Sequence, residues 1–175
     1  SVLNVADIYI GVDRLRDAEQ LLARSIKSQE KNSVNRGLLL NKFGEPYMYT
    51  GRYRETARSL NDAIDIHANL GGDESLEYIN TAINLGILYM SQGKYPEAQQ
   101  TFEAVLDKLD PSDPAYAAVL SNQALVLHSL GQLTLAERTL RDIKDIDSLT
   151  VGTHHPDYAI TLSNLGLVYA DLVKF

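Results

Sequence analysis

Two near-copies within the chain constrain its fold more than any other feature. DPAYAAVLSN (Asp113 to Asn122) and HPDYAITLSN (His155 to Asn164) carry Pro, Tyr, Ala, Leu, Ser and Asn at the same offsets, 42 residues apart. YINTAIN, ending at Asn84, is a weaker copy 38 residues before Asn122. Each copy runs into a second shared stretch, and KFGEPYMYTGRYRETARSL from Lys42 and NVADIYIGVDRLRDAEQLL from Asn4 fit the same frame. The frame starts at 4, 42, 84, 122 and 164, with intervals alternating between 38 and 42. A period of that size is the signature of stacked supersecondary units, each too small to bury its own apolar face.

Every column of the frame has a packing rationale. A small residue stands at Ala6, Gly44, Gly86, Ala124 and Gly166, followed three positions on by Tyr9, Tyr47, Tyr89, Leu127 and Tyr169. The small side chain admits a neighbouring helix and the large one fills the space beside it. Gly51, Gly93 and Gly131 mark turns where a helix can end in the left-handed conformation. A second helix then opens at Leu15, Tyr53, Tyr95, Leu133 and Phe175. Its inward positions are Ala18, Ala98 and Ala136, with Thr56 in the remaining place, and Leu22, Leu60, Phe102 and Leu140 follow at helical spacing. Each unit therefore reads as an antiparallel helix pair.

The third unit, Asn84-Leu85-Gly86 to Tyr89, Gly93, Tyr95, Ala98 and Phe102 followed by Asp110-Pro111, resembles the tetratricopeptide repeat. The resemblance implies an all-α fold, a tetratricopeptide-type α-α superhelix, which is a solenoid of antiparallel helix pairs. The long intervals and the HPDYAITLSNLGLVYADL stretch are similar to the longer-helix branch found in kinesin light chains, Pins-type adaptors and bacterial regulators. Departures are Lys42 in the Asn column, Thr56 in the Ala column, Gln123 at a core position and Val173 in place of glycine. Pro46 falls inside a first helix, where a bend or a lost hydrogen bond is expected. Residues 1–175 read as one array with approximate repeats 1–32, 33–72, 73–110, 111–152 and a partial 153–175, a fragment of a longer chain. The last helix is expected to leave Leu162, Leu165, Val168, Tyr169 and Leu172 partly uncovered, inviting self-association through the C-terminal helix.

Composition narrows the function. With 16 Lys and Arg against 23 Asp and Glu the net charge is −7, which disfavours the phosphate backbone of nucleic acids and anionic membranes alike. The absence of cysteine removes thiolate metal clusters and cysteine nucleophiles. No apolar run approaches the roughly 20 residues of a membrane helix. A cytoplasmic protein binding neither nucleic acid nor membrane is expected.

Asn4, Asn84, Asn122 and Asn164, with Lys42 between them, form the column most suggestive of a site. The resemblance places it on the concave side of the first helices. There, an amide has a donor and an acceptor for the backbone of an extended peptide. The same column is equally read as repeat consensus, solvated or bonded to a neighbouring helix. Residues one helical turn away share its face. The candidate peptide-binding groove is therefore Lys42, Glu45, Tyr49, Asn80, Asn84, Ile87, Ser121, Asn122, Leu125, Ser129, Asn164 and Leu167, joined by Asn41, Ser91 and Asp171. Only Lys42 could help clamp a C-terminal carboxylate, so that mode is not expected.

Other chemistry is sparse. His154-His155 precede Pro156, and His155 occupies the helix-capping place that Asp113 fills before Pro114, a better account than a metal site. Tyr78, Tyr116 and Tyr158 read as core. His128 lies near Ser121 and Ser129 without an evident orienting acid, and no phosphate-binding glycine loop is present. The expected function is a non-enzymatic protein-protein interaction module without cofactor or metal, binding a protein or peptide in the groove. Two alternatives stand beside it, a peptide-sensing domain of a larger regulator and a self-assembling structural array.

Overall fold

A computed structural model describes residues 1–173, apart from the side chains of Tyr47, Tyr49 and Pro114. The expected Phe175 opening of a further helix lies outside the described residues. Nine helices and no strands are present among the described residues: α1 (Val2–Gly11), α2 (Leu15–Lys27), α3 (Val34–Tyr49), α4 (Tyr53–Gly71), α5 (Leu76–Ser91), α6 (Tyr95–Leu106), α7 (Pro114–Ser129), α8 (Leu133–Thr150) and α9 (Pro156–Leu172). They sort into two units, Ser1–Leu88 and Tyr89–Phe175, with the boundary inside α5.

The helices pair through short turns of one repeated design. The turn residue has positive φ at Asp13 (59°), Gly51 (72°), Gly93 (69°) and Gly131 (72°). Beyond it the chain closes back on the helix it has left: Arg14 N donates to Tyr9 O at 2.7 Å, Lys94 N to Tyr89 O at 2.9 Å and Gln132 N to Leu127 O at 2.9 Å. These bonds satisfy carbonyls that a helix end would otherwise leave open. Glycine relieves the steric cost of positive φ at three of the turns, whereas Asp13 tolerates it as a short polar residue. The starts of α7 and α9 match the expected caps. Asp113 Oδ1 accepts from Ala115 N at 2.8 Å, and His155 Nδ1 accepts from Asp157 N at 3.3 Å.

In unit 1 the core gathers Ala6, Leu22, Ile26, Leu39, Leu40, Ala63 and Ile66, with Leu3, Leu21 and Phe43 packed against it. Thr56 fills the alanine column without exposure. Its Oγ1 lies within hydrogen-bond reach of two carbonyls, Arg52 O of its own helix at 3.2 Å and Gly44 O of α3 at 3.3 Å, so the hydroxyl finds an acceptor in the buried site. Ser59 makes a similar bond to Leu40 O at 2.7 Å. α3 runs through Pro46, which has no N–H to donate, so the Lys42 carbonyl goes without its helix partner.

In unit 2, Ala124, Leu127, Ala136, Leu140, Ile143, Leu165 and Val168 form the core, flanked by Leu120, Leu133 and Leu172. This corrects the expected face of α9. Leu165 is 6% exposed and Val168 2%, and Leu172 packs against the same cluster. A first helix has two apolar stripes, one toward the preceding pair and one toward its own partner helix, and these three residues belong to the former. The second stripe is the exposed one: Leu162, Gly166, Tyr169 and Val173 are all open, and a Cβ on Gly166 would meet nothing within 4 Å. Tyr78, Tyr116 and Tyr158 are half-buried rather than fully enclosed.

Candidate functional site

Within each unit, polar side chains link first helices to one another. In unit 1, Lys42 of α3 reaches Asp7 of α1 and also holds its helix neighbour Glu45, at 2.8 Å to Oε1 and 3.0 Å to Oε2. Burial works to lower the Lys42 ammonium, but its bonds to Asp7 and Glu45 outweigh burial and hold it above the ordinary lysine value. An ammonium shared by two carboxylates has little capacity left for a third, which removes the one candidate for a carboxylate clamp. Asn84 Nδ2 of α5 donates to Asn41 Oδ1 of α3 at 2.8 Å. This amide is therefore partly committed to the neighbouring helix, as the consensus reading of the column has it. Asn80 is exposed and Ile87 half-buried on the same helix. The side chain of Tyr49 lies outside the described residues.

In unit 2, Asn122 and Asn164 are half-buried, each with an exposed leucine one turn on. Leu125 is 38% exposed and Leu167 59%. Ser121 and Ser129 direct their hydroxyls to the carbonyls of Ala117 and Leu125, each at 2.9 Å. His128 is not without an acid: its Nε2 lies 2.8 Å from Asp171 Oδ2 of α9. Ser121 and Ser129 both donate to backbone of their own helix, so neither hydroxyl is aligned with the His-Asp pair as a nucleophile would be. The pair instead ties α7 to α9.

Sequence reading placed Asp171 on this face but missed Asp7 and His128 as contributors to it. Asp7 stands three residues after Asn4, as Glu45 does after Lys42, so the column arithmetic contained that signal. His128 and Asp171 sit 43 residues apart, one off the local period, and only the helix geometry brings them together.

Among the described residues no group of three His, Cys, Asp or Glu side chains converges as a metal site would, and no helix is long and apolar enough to cross a membrane. A surface hollow of about 420 Å³ lies elsewhere, lined by Thr134, Leu135, Glu137, Arg138 and Arg141. All five come from α8, and Glu137 and Arg141 pair with each other at 2.8 Å, so it is a furrow along one helix.

A sequence profile of the tetratricopeptide repeat matches residues 35–109 and 115–172. The chain belongs to the tetratricopeptide repeat family. Tetratricopeptide repeats mediate protein-protein interactions, and such scaffolds are typically non-enzymatic. No curated protein sequence matches the chain. Among solved structures, a putative kinesin light chain with nearly identical TPR-like repeats from Podosopora anserina is 20% identical, with a TM-score of 0.84 over 99% of this chain and 86% of that one. BtubC (BKLC) from P. vanneervenii is 21% identical, with a TM-score of 0.84 over 97% of this chain and 70% of its own. The MamA RS-1 ArsTM double mutant reaches a TM-score of 0.64 at 13% identity, over 99% and 96% of the two chains. At such identities the likeness is one of fold, and it agrees with the all-α tetratricopeptide-type architecture expected from the columns.

Proposed function

We propose that this tetratricopeptide protein is a cytoplasmic interaction module that holds an extended segment of a partner protein against the faces of its first helices. The observation that carries the reading is the pairing of amide and leucine in unit 2. Asn122 with Leu125 on α7, and Asn164 with Leu167 on α9, repeat the same couple on successive first helices. An exposed leucine gains by being covered, and an amide can both donate to and accept from a peptide backbone without reading its sequence. In unit 1, Asn80, Asn84, Ile87, Lys42 and Glu45 belong to the corresponding positions, with Asn84 and Lys42 already engaged by neighbours.

Photo-crosslinking tests this reading. A benzophenone side chain placed at 125 or 167 should capture a protein partner from the native host, and the same group at Leu135 or Leu149 on α8, both exposed, should not. Capture from α8 alone would move the binding surface to the second helices.

A second reading, self-association through α9, is favoured by the open stripe of Leu162, Tyr169 and Val173. Large exposed apolar side chains in one stripe promote burial against another copy.

A further inference from the structure

The first helices are almost empty of positive charge. Of the 16 Lys and Arg in the chain, α1, α3, α5, α7 and α9 together carry Arg36 and Lys42, whereas of the second helices α6 carries none and α2, α4 and α8 carry Arg16, Arg24, Lys27, Arg54, Arg58, Arg138, Arg141 and Lys144. Only Lys42 has its charge matched by carboxylates, whereas Arg36, at the start of α3, is half-buried and anchored by a backbone bond. Arg36 Nη1 donates to Ile26 O at 2.7 Å, and Lys42 is held by Asp7 and Glu45. The acidic side chains of the same helices are more open: Asp7 and Asp157 are exposed, while Glu45, Glu77 and Asp171 are half-buried. The Asp7–Lys42–Glu45 cluster keeps one net negative charge, and its most exposed member is Asp7, at 55%.

We infer that the segment held along the first helices is a basic one, an extended stretch of a partner protein carrying lysine or arginine. The inference rests on the binding face proposed above and adds the chemistry of its occupant. A carboxylate-bearing segment would meet acidic side chains, with Lys42 already held by two carboxylates and Arg36 anchored to the Ile26 carbonyl. A lysine or arginine would find Asp7, the most exposed member of the unit 1 cluster, or in unit 2 Asp171, where it would join the carboxylate that His128 already holds. Like charges brought together at an interface oppose binding, and complementary ones steer it and fix its register.

The test uses three short synthetic peptides of one sequence in which alternate positions carry Lys, Gln or Glu. Binding to the full chain is followed by fluorescence anisotropy. At low salt the Lys peptide should bind at least ~10-fold more tightly than the Glu peptide, with the gap narrowing as salt shortens the reach of the charges. The Asp7→Asn, Asp171→Asn double variant should remove most of that gap. The Glu103→Gln, Asp142→Asn variant, which removes the same charge from exposed positions on α6 and α8, should leave it in place. Equal losses from both pairs would reduce the preference to net charge and overturn the inference. Equal binding of all three peptides, weakened by Asn122→Ala, would overturn it while leaving the binding face standing. No binding of any peptide would sink the face and its chemistry together.

Discussion

Gly37 of α3 and His67 of α4 approach so closely that a Cβ on the glycine would stand 2.6 Å from Nε2 and 3.0 Å from Nδ1 of the imidazole. His67 is 2% exposed, so its ring is enclosed by protein rather than facing solvent. Gly37→Ala should therefore destabilise the protein by about 1–3 kcal/mol through overpacking, although alanine is the better helix former by about 1 kcal/mol. Thermal or denaturant unfolding decides this, and a variant as stable as the parent or more so would show that the helices separate freely at that point.

Nε2 of His67 is buried without a hydrogen-bond partner. Burial depresses the imidazole below its ordinary value, against the smaller opposing pull of Glu77 and of the Gly37 backbone. Such a group takes up its proton less readily in the folded chain than in the unfolded one. Its contribution is complete above about pH 6.5 and is lost as pH falls toward the depressed folded value, at a slope of at most ~1.4 kcal/mol per pH unit. Unfolding curves from pH 7.5 to 5.5 should show this loss in the parent chain and a flatter profile in His67→Gln. Identical slopes would assign the acid sensitivity to other groups.

Asp147 is the counterpart of His67 one double repeat later, 80 residues on in the same register of its long second helix. Its buried carboxylate accepts from Thr161 Oγ1 of α9 at 2.8 Å. Thr161→Val keeps the shape and removes the donor, and should cost about 1–3 kcal/mol by leaving a buried acceptor unsatisfied. Asp147→Leu combined with Thr161→Val should cost less than the two single changes added together, as expected for partners in direct contact. Additive losses in a double-mutant cycle would mean that the bond contributes nothing of its own.

The helix spans were legible in the sequence because the small, aromatic and glycine columns each have a local physical cause. Ala18, Thr56, Ala98 and Ala136 are all without exposure, as a position against a neighbouring helix requires. The side-chain links between first helices were not legible. Whether Asn84 meets Asn41, or Lys42 meets Asp7, depends on how far one helix is shifted along the next, and periodicity does not contain that shift. Leu165 and Leu172 were assigned to the open face for a related reason: a helix apolar on two sides does not reveal from its pattern which side is already covered.

If the chain self-associates through α9, the residues responsible are those on the open stripe. Leu162→Gln with Tyr169→Gln should lower the apparent mass in concentrated solution by light scattering, while leaving the fold intact. Leu165→Gln should instead unfold unit 2, because burying a polar amide in that core costs about 1–3 kcal/mol beyond the lost packing. A parent chain that stays monomeric at high concentration would contradict the association.

The most direct test of the central claim compares affinity and stability in Asn122→Ala and Asn164→Ala, singly and together, against a segment selected from a random peptide library displayed on phage. Each change should remove about 0.5–1.5 kcal/mol of binding. The pair should then weaken the complex by roughly tenfold or more, with the melting temperature of the free protein nearly unchanged. Unaltered affinity accompanied by a marked fall in melting temperature would contradict it, making these amides part of the helix packing and placing the partner on another surface.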